Sequence, residues 1–317
     1  MTAIEPSLDG LPAGLGRALA SRYGVAPIES ARRLEGGYLN DLYRVDAGSA
    51  VLVVRVERRQ ANAHSVAWEH ALLAFLAPRL PEVVAPIPAL DGSTFFVHAG
   101  RAVSLLPFVE GRPAGRGDRR EHAAAATLLG RLHSALVEYD ASPRPGRPSL
   151  VELDWALPPS LPPSLEPHRR RLEDEAARMR EWVRAVACSE APPATAAIHG
   201  DFYPGNVLVD EGRVCGLVDW EEAHVDWTAY ELANGMWEFC RRGDDFDRDA
   251  AREFIAVYRS AGGVVPPEQE SRLVPLIRCR RLVELFATAW CEEPFADGEY
   301  ALHNLRALAN LAAPDVG

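Results

Sequence analysis

Lysine is absent from this chain of 317 residues; all 34 of its basic residues are arginine. Chemistry that needs a lysine amine is thereby excluded: no Schiff base, no pyridoxal phosphate anchor, no P-loop lysine. Positive charge is also the minority sign. Forty-five acidic residues leave a formal net charge of -11, which makes nucleic acid and anionic membranes poor partners and cationic or neutral small molecules better ones. No apolar run reaches the roughly 18 residues that would read as a membrane span. Residues 1–14 carry Glu5 and Asp9 and no apolar core run, so no signal peptide is expected there. The five cysteines, Cys188, Cys215, Cys240, Cys279 and Cys291, are odd in number and include no C-x-x-C pair. They read as buried free thiols, in keeping with a reducing cytoplasm.

What is present is an ordinary globular composition, 48% hydrophobic and 25% charged, long enough for one large domain or two lobes. Residues 41–45 and 51–56 are β-branched runs separated by Ala47-Gly48-Ser49, a hairpin pattern. Val66, Leu72, Leu73 and Leu76 recur at helical spacing over residues 65–76, and Pro78, Pro81, Pro86 and Pro88 end that helix. Residues 94–97 and 102–106 form a second strand pair across Gly100. From Asp118, an expected N-cap with Glu121 in the capping-box position, the chain turns helical, with Leu128, Leu129, Leu132 and Leu136 on one face. Prolines make residues 142–167 a long irregular loop, and loops of that length are functional or are linkers. A charged helix over 166–186 follows, then a short β segment over 198–218, then helices. The expected class is α+β: a β-rich lobe over residues 1–107, a hinge near 106–111, and a mainly helical lobe over 108–317.

The chemistry concentrates in His199-Gly200-Asp201-Phe202-Tyr203-Pro204-Gly205-Asn206 and in Val218-Asp219-Trp220 beyond the turn Asp210-Glu211-Gly212. Two short apolar strands pairing across that turn bring Asp219 back towards Asp201 and Asn206. Two carboxylates and an amide oxygen suit Mg²⁺, a hard cation that takes oxygen ligands and keeps phosphate oxygens in its shell. A carboxylate left off the metal can orient and deprotonate a hydroxyl. The spacing H-x-D-x-x-x-x-N is that of a kinase catalytic loop, and Asp219 falls where the aspartate of D-F-G would fall.

These motifs resemble the aminoglycoside phosphotransferase and choline kinase group, relatives of the protein kinases, over roughly residues 30–290. The resemblance implies a bilobal protein-kinase-like fold that uses ATP and Mg²⁺. It makes Asp201 the catalytic base, with His199 bracing its loop and Asn206 and Asp219 holding the metal. Gly36 and Gly37, in a G-G-x-x-N version of the phosphate lid, precede the first hairpin. Arg55 takes the place of the strand-three lysine, paired with Glu69 on the following helix. Its planar fork is well matched to phosphate. Leu106 is the gatekeeper, the Pro107 carbonyl and the Val109 N–H meet the adenine edge, and Val53, Leu106 and Val218 sandwich the base. His133 reads as a buried structural histidine, Asp226 as a brace for the catalytic-loop backbone, and Trp220, Trp227 and Trp237 as core.

The acceptor is less defined. Glu221, Glu222, Asp226, Glu231, Glu238, Asp244, Asp245, Glu292 and Glu293 supply carboxylates around the expected site, which favours a cationic hydroxylated acceptor, an aminoglycoside or an amino alcohol. Residues 219–223, 230–233 and 237–238 also resemble the homoserine-kinase-like branch. An antibiotic-resistance enzyme, a homoserine, amino-alcohol or natural-product kinase, and a non-catalytic nucleotide-binding protein of kinase fold all stay open. A protein kinase does not fit, because no A-P-E segment follows Asp219.

Overall fold

The computed structural model describes residues 10–34, 40–58, 62–290 and 298–312. Two compact units emerge, residues 1–111 with 215–218, and residues 112–214 with 219–317.

The first unit comprises α1 (Leu15–Tyr23), β1 (Ser30–Arg33), β2 (Asn40–Ala47), β3 (Ala50–Glu57), α2 (Ala63–Leu76), β4 (Phe96–His98) and β5 (Arg101–Pro107). Its strands form an antiparallel sheet of order β1-β2-β3-β5-β4. The expected hairpin is present, with Val45 opposite Leu52 and Tyr43 opposite Val54. Period-two alternation sorts the side chains onto two faces. Tyr43, Val45, Val54, Val56, Val103 and Leu105 share a buried cluster with Leu15, Leu19 and Tyr23 of α1. This helix was not expected from the sequence; it is short, and glycines in left-handed conformation bound it at Gly14 and Gly24. The other face carries two cross-strand rows, Leu42–Arg55–Ser104 and Arg44–Val53–Leu106. Asn62 caps α2 by accepting from the Ser65 N–H. Residues 215–218 join this unit through a parallel bridge between Val83 and Leu217 and a 2.6 Å bond from the Leu217 N–H to the Glu82 carbonyl.

The second unit comprises β6 (Arg112–Pro113), α3 (Arg119–Leu136), α4 (Arg169–Ala187), β7 (Thr195–Ile198), β8 (Val207–Asp210), the start of β9 (Arg213–Leu217), β10 (His224–Trp227), α5 (Thr228–Cys240), β11 (Arg241–Arg242), β12 (Asp245–Phe246), α6 (Arg248–Ser260), α7 (Leu273–Trp290) and α8 (Gly298–Asn310). Asp118 caps α3 as expected, accepting from the Arg120 and Glu121 N–H groups. Glu121 does not complete a capping box. Its carboxylate is taken by Arg112 and by the Gly115 N–H, which ties the entry to α3 down to β6. Every residue of α5 except Glu238 is buried, so this helix forms the axis of the unit. β7 and β10 pair antiparallel, Ile198 opposite His224.

Two expectations change. Cys240 and Cys279 are buried free thiols, but Cys188 is exposed and Cys215 only partly covered; Cys291 lies outside the described residues. The 142–167 loop is no passive linker, as its arginines show below. Among the described residues no helix is long and apolar enough to cross a membrane.

The packing of α3 on α6 makes one glycine indispensable. A Cβ at Gly130 would lie 2.4 Å from the Tyr258 carbonyl oxygen and 3.0 Å from the Ala261 Cβ. Gly→Ala in an open helix interior stabilises by about 1 kcal/mol. Here the sign should reverse: Gly130→Ala is expected to destabilise by about 2 kcal/mol, since the two helices must part. Denaturant unfolding of the variant measures it.

Candidate active site

β7 delivers the chain to His199, and the geometry of the next residue is fixed by crowding. Gly200 has φ +84, and a Cβ there would fall 2.2 Å from the Glu222 carbonyl oxygen. Only glycine fits. Its N–H donates to Glu231 Oε1 at 2.7 Å. Glu231 Oε2 lies 2.9 Å from His133 Nε2, and His133 Nδ1 lies 2.8 Å from the Tyr258 hydroxyl. That hydroxyl already accepts from both the Val264 and Val265 N–H groups, at 3.0 and 3.3 Å, so its proton goes to His133 Nδ1. The imidazole proton then sits on Nε2 and points at Glu231. Burial works to raise the Glu231 pKa, but the His133 hydrogen bond, His133 and His199 nearby, and the Gly200 N–H bring it below the ordinary carboxylate value. The brace expected of Asp226 is therefore made by Glu231. Asp226 instead accepts from the Leu150 and Trp227 N–H groups, each at 2.7 Å, and fastens the proline-rich loop.

His199 is fully buried. Its Nδ1 accepts from the Asp201 N–H at 3.3 Å, and its ring lies 4.5 Å, centroid to centroid, from Trp220. It holds the loop from inside and presents no atom to solvent. His133, Trp220, Trp227 and Trp237 are all core, as expected.

Asp201 is gripped on both oxygens. Asn206 Nδ2 donates at 3.0 Å to Oδ2 and at 3.0 Å to the Asp201 carbonyl, and Arg280 Nη2 lies 3.3 Å from Oδ1. With its Nδ2 committed to Asp201, Asn206 turns Oδ1 the other way. Asp219 has φ 67 and ψ 65, a left-handed conformation that costs a non-glycine residue about 1–2 kcal/mol, and its side chain is exposed. The turn after it is held by the loop expected to be either functional or a linker. Arg144, itself buried, donates from Nη1 to the Trp220 and Ala223 carbonyls at 3.1 and 2.8 Å, and Arg147 donates to the Glu221 carbonyl at 3.1 Å.

The electrostatics of this loop are crowded. Burial, Glu222, Glu284 and Asp219 all push the Asp201 pKa up, well above the ordinary value, against the pull of Arg280. Burial, Asp201 and Asp219 likewise push the neighbouring Tyr203 hydroxyl up to about 12. An excess of carboxylate charge beside an all-oxygen donor pair, Asn206 Oδ1 and the Asp219 carboxylate, fits a hard divalent cation such as Mg²⁺.

In the first unit Arg55 and Glu69 form the expected pair. Nη1 meets Oε1 at 2.5 Å, with the Glu69 side chain 1% exposed and Arg55 9%. Arg55 Nη2 also lies 3.2 Å from His70 Nε2. Val53 and Leu106 sit side by side on the same sheet face. Pro107 ends β5 exposed, and Val109 follows it half-buried. Gly36 and Gly37 lie outside the described residues.

Four of the nine carboxylates expected to make an acidic cleft are committed elsewhere. Asp226 and Glu231 are buried braces, Glu238 pairs with Arg116 and Arg281, and Asp244 pairs with His303 and Arg306. Glu222 stays at the site, against Arg280; Glu292 and Glu293 lie outside the described residues. Sequence reasoning missed Arg144, Arg147, Arg280, Glu284 and Tyr203. Tyr203, two residues from Asp201, was within reach; nothing about an arginine in the run Arg278-Cys279-Arg280-Arg281 distinguishes it before folding.

Residues 30–264 match the model of the phosphotransferase enzyme family. The chain belongs to that family. Homoserine kinase of Gluconobacter oxydans is 26% identical over 245 residues, 77% of each chain, and homoserine kinase of Brucella anthropi is 24% identical over 77% of this chain and 74% of its own. Solved structures share the fold across nearly the whole length. A microcompartment-associated aminopropanol kinase gives a TM-score of 0.69 at 20% identity, covering 93% of this chain and 95% of its own. Amicoumacin kinase, solved with AMP-PNP, Ca²⁺ and its antibiotic, gives 0.71 at 14% identity over 94% and 93%. Spectinomycin phosphotransferase, solved with ADP and spectinomycin, gives 0.61 at 14% over 93% and 97%. The phosphotransferase described here is thus a small-molecule kinase of protein-kinase-like fold, with a sheet-rich N-terminal part and a helical C-terminal part.

The Arg144 contacts give a measurable consequence. Arg144→Ala leaves two buried carbonyls without their charged donor, and each such bond contributes about 1.5–3 kcal/mol. A loss of about 3 kcal/mol in unfolding free energy is expected, against a change below about 0.5 kcal/mol for the exposed Arg252→Ala.

Proposed function

We propose that this phosphotransferase moves the γ-phosphoryl group of ATP onto the hydroxyl of a small molecule that carries a protonated amine. The observation that carries the reading is Asp201, a carboxylate fixed at both oxygens and raised in pKa by its surroundings, next to Asn206 and Asp219. Asp201 orients the acceptor hydroxyl and takes its proton as the new O–P bond forms; the β–γ bridging bond breaks and ADP leaves. Asn206 and Asp219 would hold Mg²⁺, and a bound Mg²⁺ would supply neutralisation of phosphate charge. His199 sets the loop that carries Asp201. Arg55, fixed by Glu69, receives the α- and β-phosphates. Leu106 and Val53, with Val218, cover the adenine faces, and the Pro107 carbonyl and Val109 N–H meet its edge.

The acceptor reading rests on charge. Glu222 and Glu284 act on Asp201 through space, so an ammonium group near the reacting hydroxyl relieves repulsion that a neutral or anionic acceptor does not. Homoserine kinases among the relatives favour homoserine or another amino alcohol, with a role in primary or natural-product metabolism. An aminoglycoside, and with it antibiotic resistance, is the second reading, favoured by the antibiotic kinases that share the fold.

Two experiments decide. Purified enzyme with Mg-ATP is offered L-homoserine, a series of amino alcohols, and aminoglycosides, with product mass as the readout. Asp201→Ala is expected to lower turnover of the accepted alcohol by about 10³-fold while ATP still binds. Undiminished turnover removes Asp201 from the chemistry, and no Mg-ATP consumption with any acceptor would mean a non-catalytic binding protein. Arg55→Lys keeps the charge but loses the fork. Calorimetry should report ATP binding weakened about tenfold, equivalent to about 1.4 kcal/mol.

A further inference from the structure

α7 places three arginines, Arg278, Arg280 and Arg281, in the interior, all under 8% exposed. Two of them tie helices together. Arg278 holds Glu175 and the Leu308 and Leu311 carbonyls, and Arg281 holds Glu238, Asn234 and Asn304. Arg280 does something else. Its Nη1 donates to the Gly200 carbonyl at 3.0 Å, its Nη2 lies 3.3 Å from Asp201 Oδ1 and 3.3 Å from Glu222 Oε2, and its Nε lies 2.6 Å from Glu284 Oε1. Glu284 is itself pinned, because Tyr300 of α8 donates to its Oε2 at 2.6 Å. Nε makes an ion pair with Glu284 but no hydrogen bond, so the guanidinium's hydrogen bonds all come from its two Nη groups, which face the loop that carries Asp201.

We propose that Arg280 is the positioning residue of the phosphate-transfer reaction. It holds Asp201 Oδ1 in place while Asn206 holds Oδ2, so the carboxylate is fixed about both its bonds rather than one. It also keeps Asp201, Glu222 and Glu284 close together, which three carboxylates do not tolerate without a cation among them. This rests on the reading of Asp201 as the base. It also bears on the acceptor. With the Gly200 carbonyl, Asp201 and Glu222 already on its two Nη groups, Arg280 has no free Nη fork to offer an acceptor carboxylate, and it acts on the substrate through Asp201. Lysine is a poor replacement: an ammonium keeps the charge but loses the two-nitrogen fork that reaches the Gly200 carbonyl and Asp201 together.

The test compares Arg280→Gln, Arg280→Lys, Asp201→Ala and the double variant Arg280→Gln/Asp201→Ala. The assay follows phosphate transfer from Mg-ATP to the alcohol that the acceptor series returns, and phosphate release to water. A displaced catalytic group costs about 100-fold, so Arg280→Gln should lower kcat by about that factor, with ATP KM and acceptor KM within about threefold. Arg280→Lys should recover about tenfold of the loss. Because Arg280 acts through Asp201, the double variant should be no slower than Asp201→Ala alone. Unfolding midpoints are measured alongside, and Arg280→Lys carries the comparison if the glutamine variant does not fold. A kcat within threefold of the parent in Arg280→Gln or, if that variant does not fold, in Arg280→Lys overturns the proposal. So does the same fractional loss with and without Asp201. Full activity of Asp201→Ala would instead overturn the base assignment, and the positioning role with it.

Discussion

Everything at the candidate site hangs on one buried hydrogen bond, from the Gly200 N–H to Glu231. Gly200 is forced into a left-handed conformation by the carbonyl of Glu222, and Glu231 is the carboxylate that accepts there. An unsatisfied ionised carboxylate at that depth is costly, so Glu231 needs a partner on its other oxygen, and His133 supplies it. His133 then needs its tautomer set, and Tyr258 sets it. Each member is acceptable only because the next is present. The relay draws α3, α5 and α6 into one network whose end is the backbone amide beside Asp201. A loop held this way keeps its carboxylate in place with no ligand bound.

The absence of lysine shapes how the rest is held. Arginine enters interiors more readily than lysine because its charge is spread and weakly hydrated, and because one planar fork satisfies several acceptors. The buried arginines exploit that property in different ways. Arg55 meets a carboxylate and an imidazole, Arg144 two carbonyls, and Arg280 hydrogen-bonds two carboxylates and a carbonyl and ion-pairs with a third carboxylate. An ammonium, with its donors on a single strongly hydrated nitrogen, would lose the spread of the two-nitrogen fork at Arg280.

The local pattern of the sequence carried the β2–β3 hairpin, α2, the cap of α3 and the contiguous motif from His199 to Asn206, because each depends on residues close in the chain. Arg55 and Glu69 were also legible, fourteen residues apart on adjacent elements. What stayed hidden was long-range. Glu231 lies thirty-one residues from the amide it accepts from, Arg280 lies seventy-nine from the carboxylate it touches, and Arg144 lies seventy-six from the first carbonyl it serves. Periodicity places arginines of a helix outside, so Arg278, Arg280 and Arg281 read as surface until packing reveals their carboxylates. Asp226 was assigned the brace because it sits in the right neighbourhood of sequence, but β10 faces it towards Leu150 instead.

Net charge is a poor guide to the acceptor, and local charge is a better one. The overall value of -11 counts every acidic side chain alike, including those with arginine partners far from Asp201. Arginine partners occupy Glu238 and Asp244, and at the Tyr203 hydroxyl on the loop Arg116 opposes the push of Glu238. The charge that acts on Asp201 comes from Glu222, Glu284 and Asp219, with Arg280 as its cationic counterweight, while Arg147 and Arg280 draw Glu222 down. Burial and three neighbouring carboxylates outweigh Arg280 at Asp201, so the excess of negative charge is local to that loop. A divalent cation bound at Asn206 and Asp219 would answer the part nearest the phosphates. The part around Glu222 and Glu284 lies on the Arg280 side, and that arginine is already committed. An acceptor that brings its own positive charge to that side lowers the energy of the complex, and a carboxylate brought there raises it. If the acceptor bears both groups, as an amino acid with a side-chain hydroxyl does, in the proposed reaction its ammonium faces Glu222 and Glu284, with the carboxylate turned away from them.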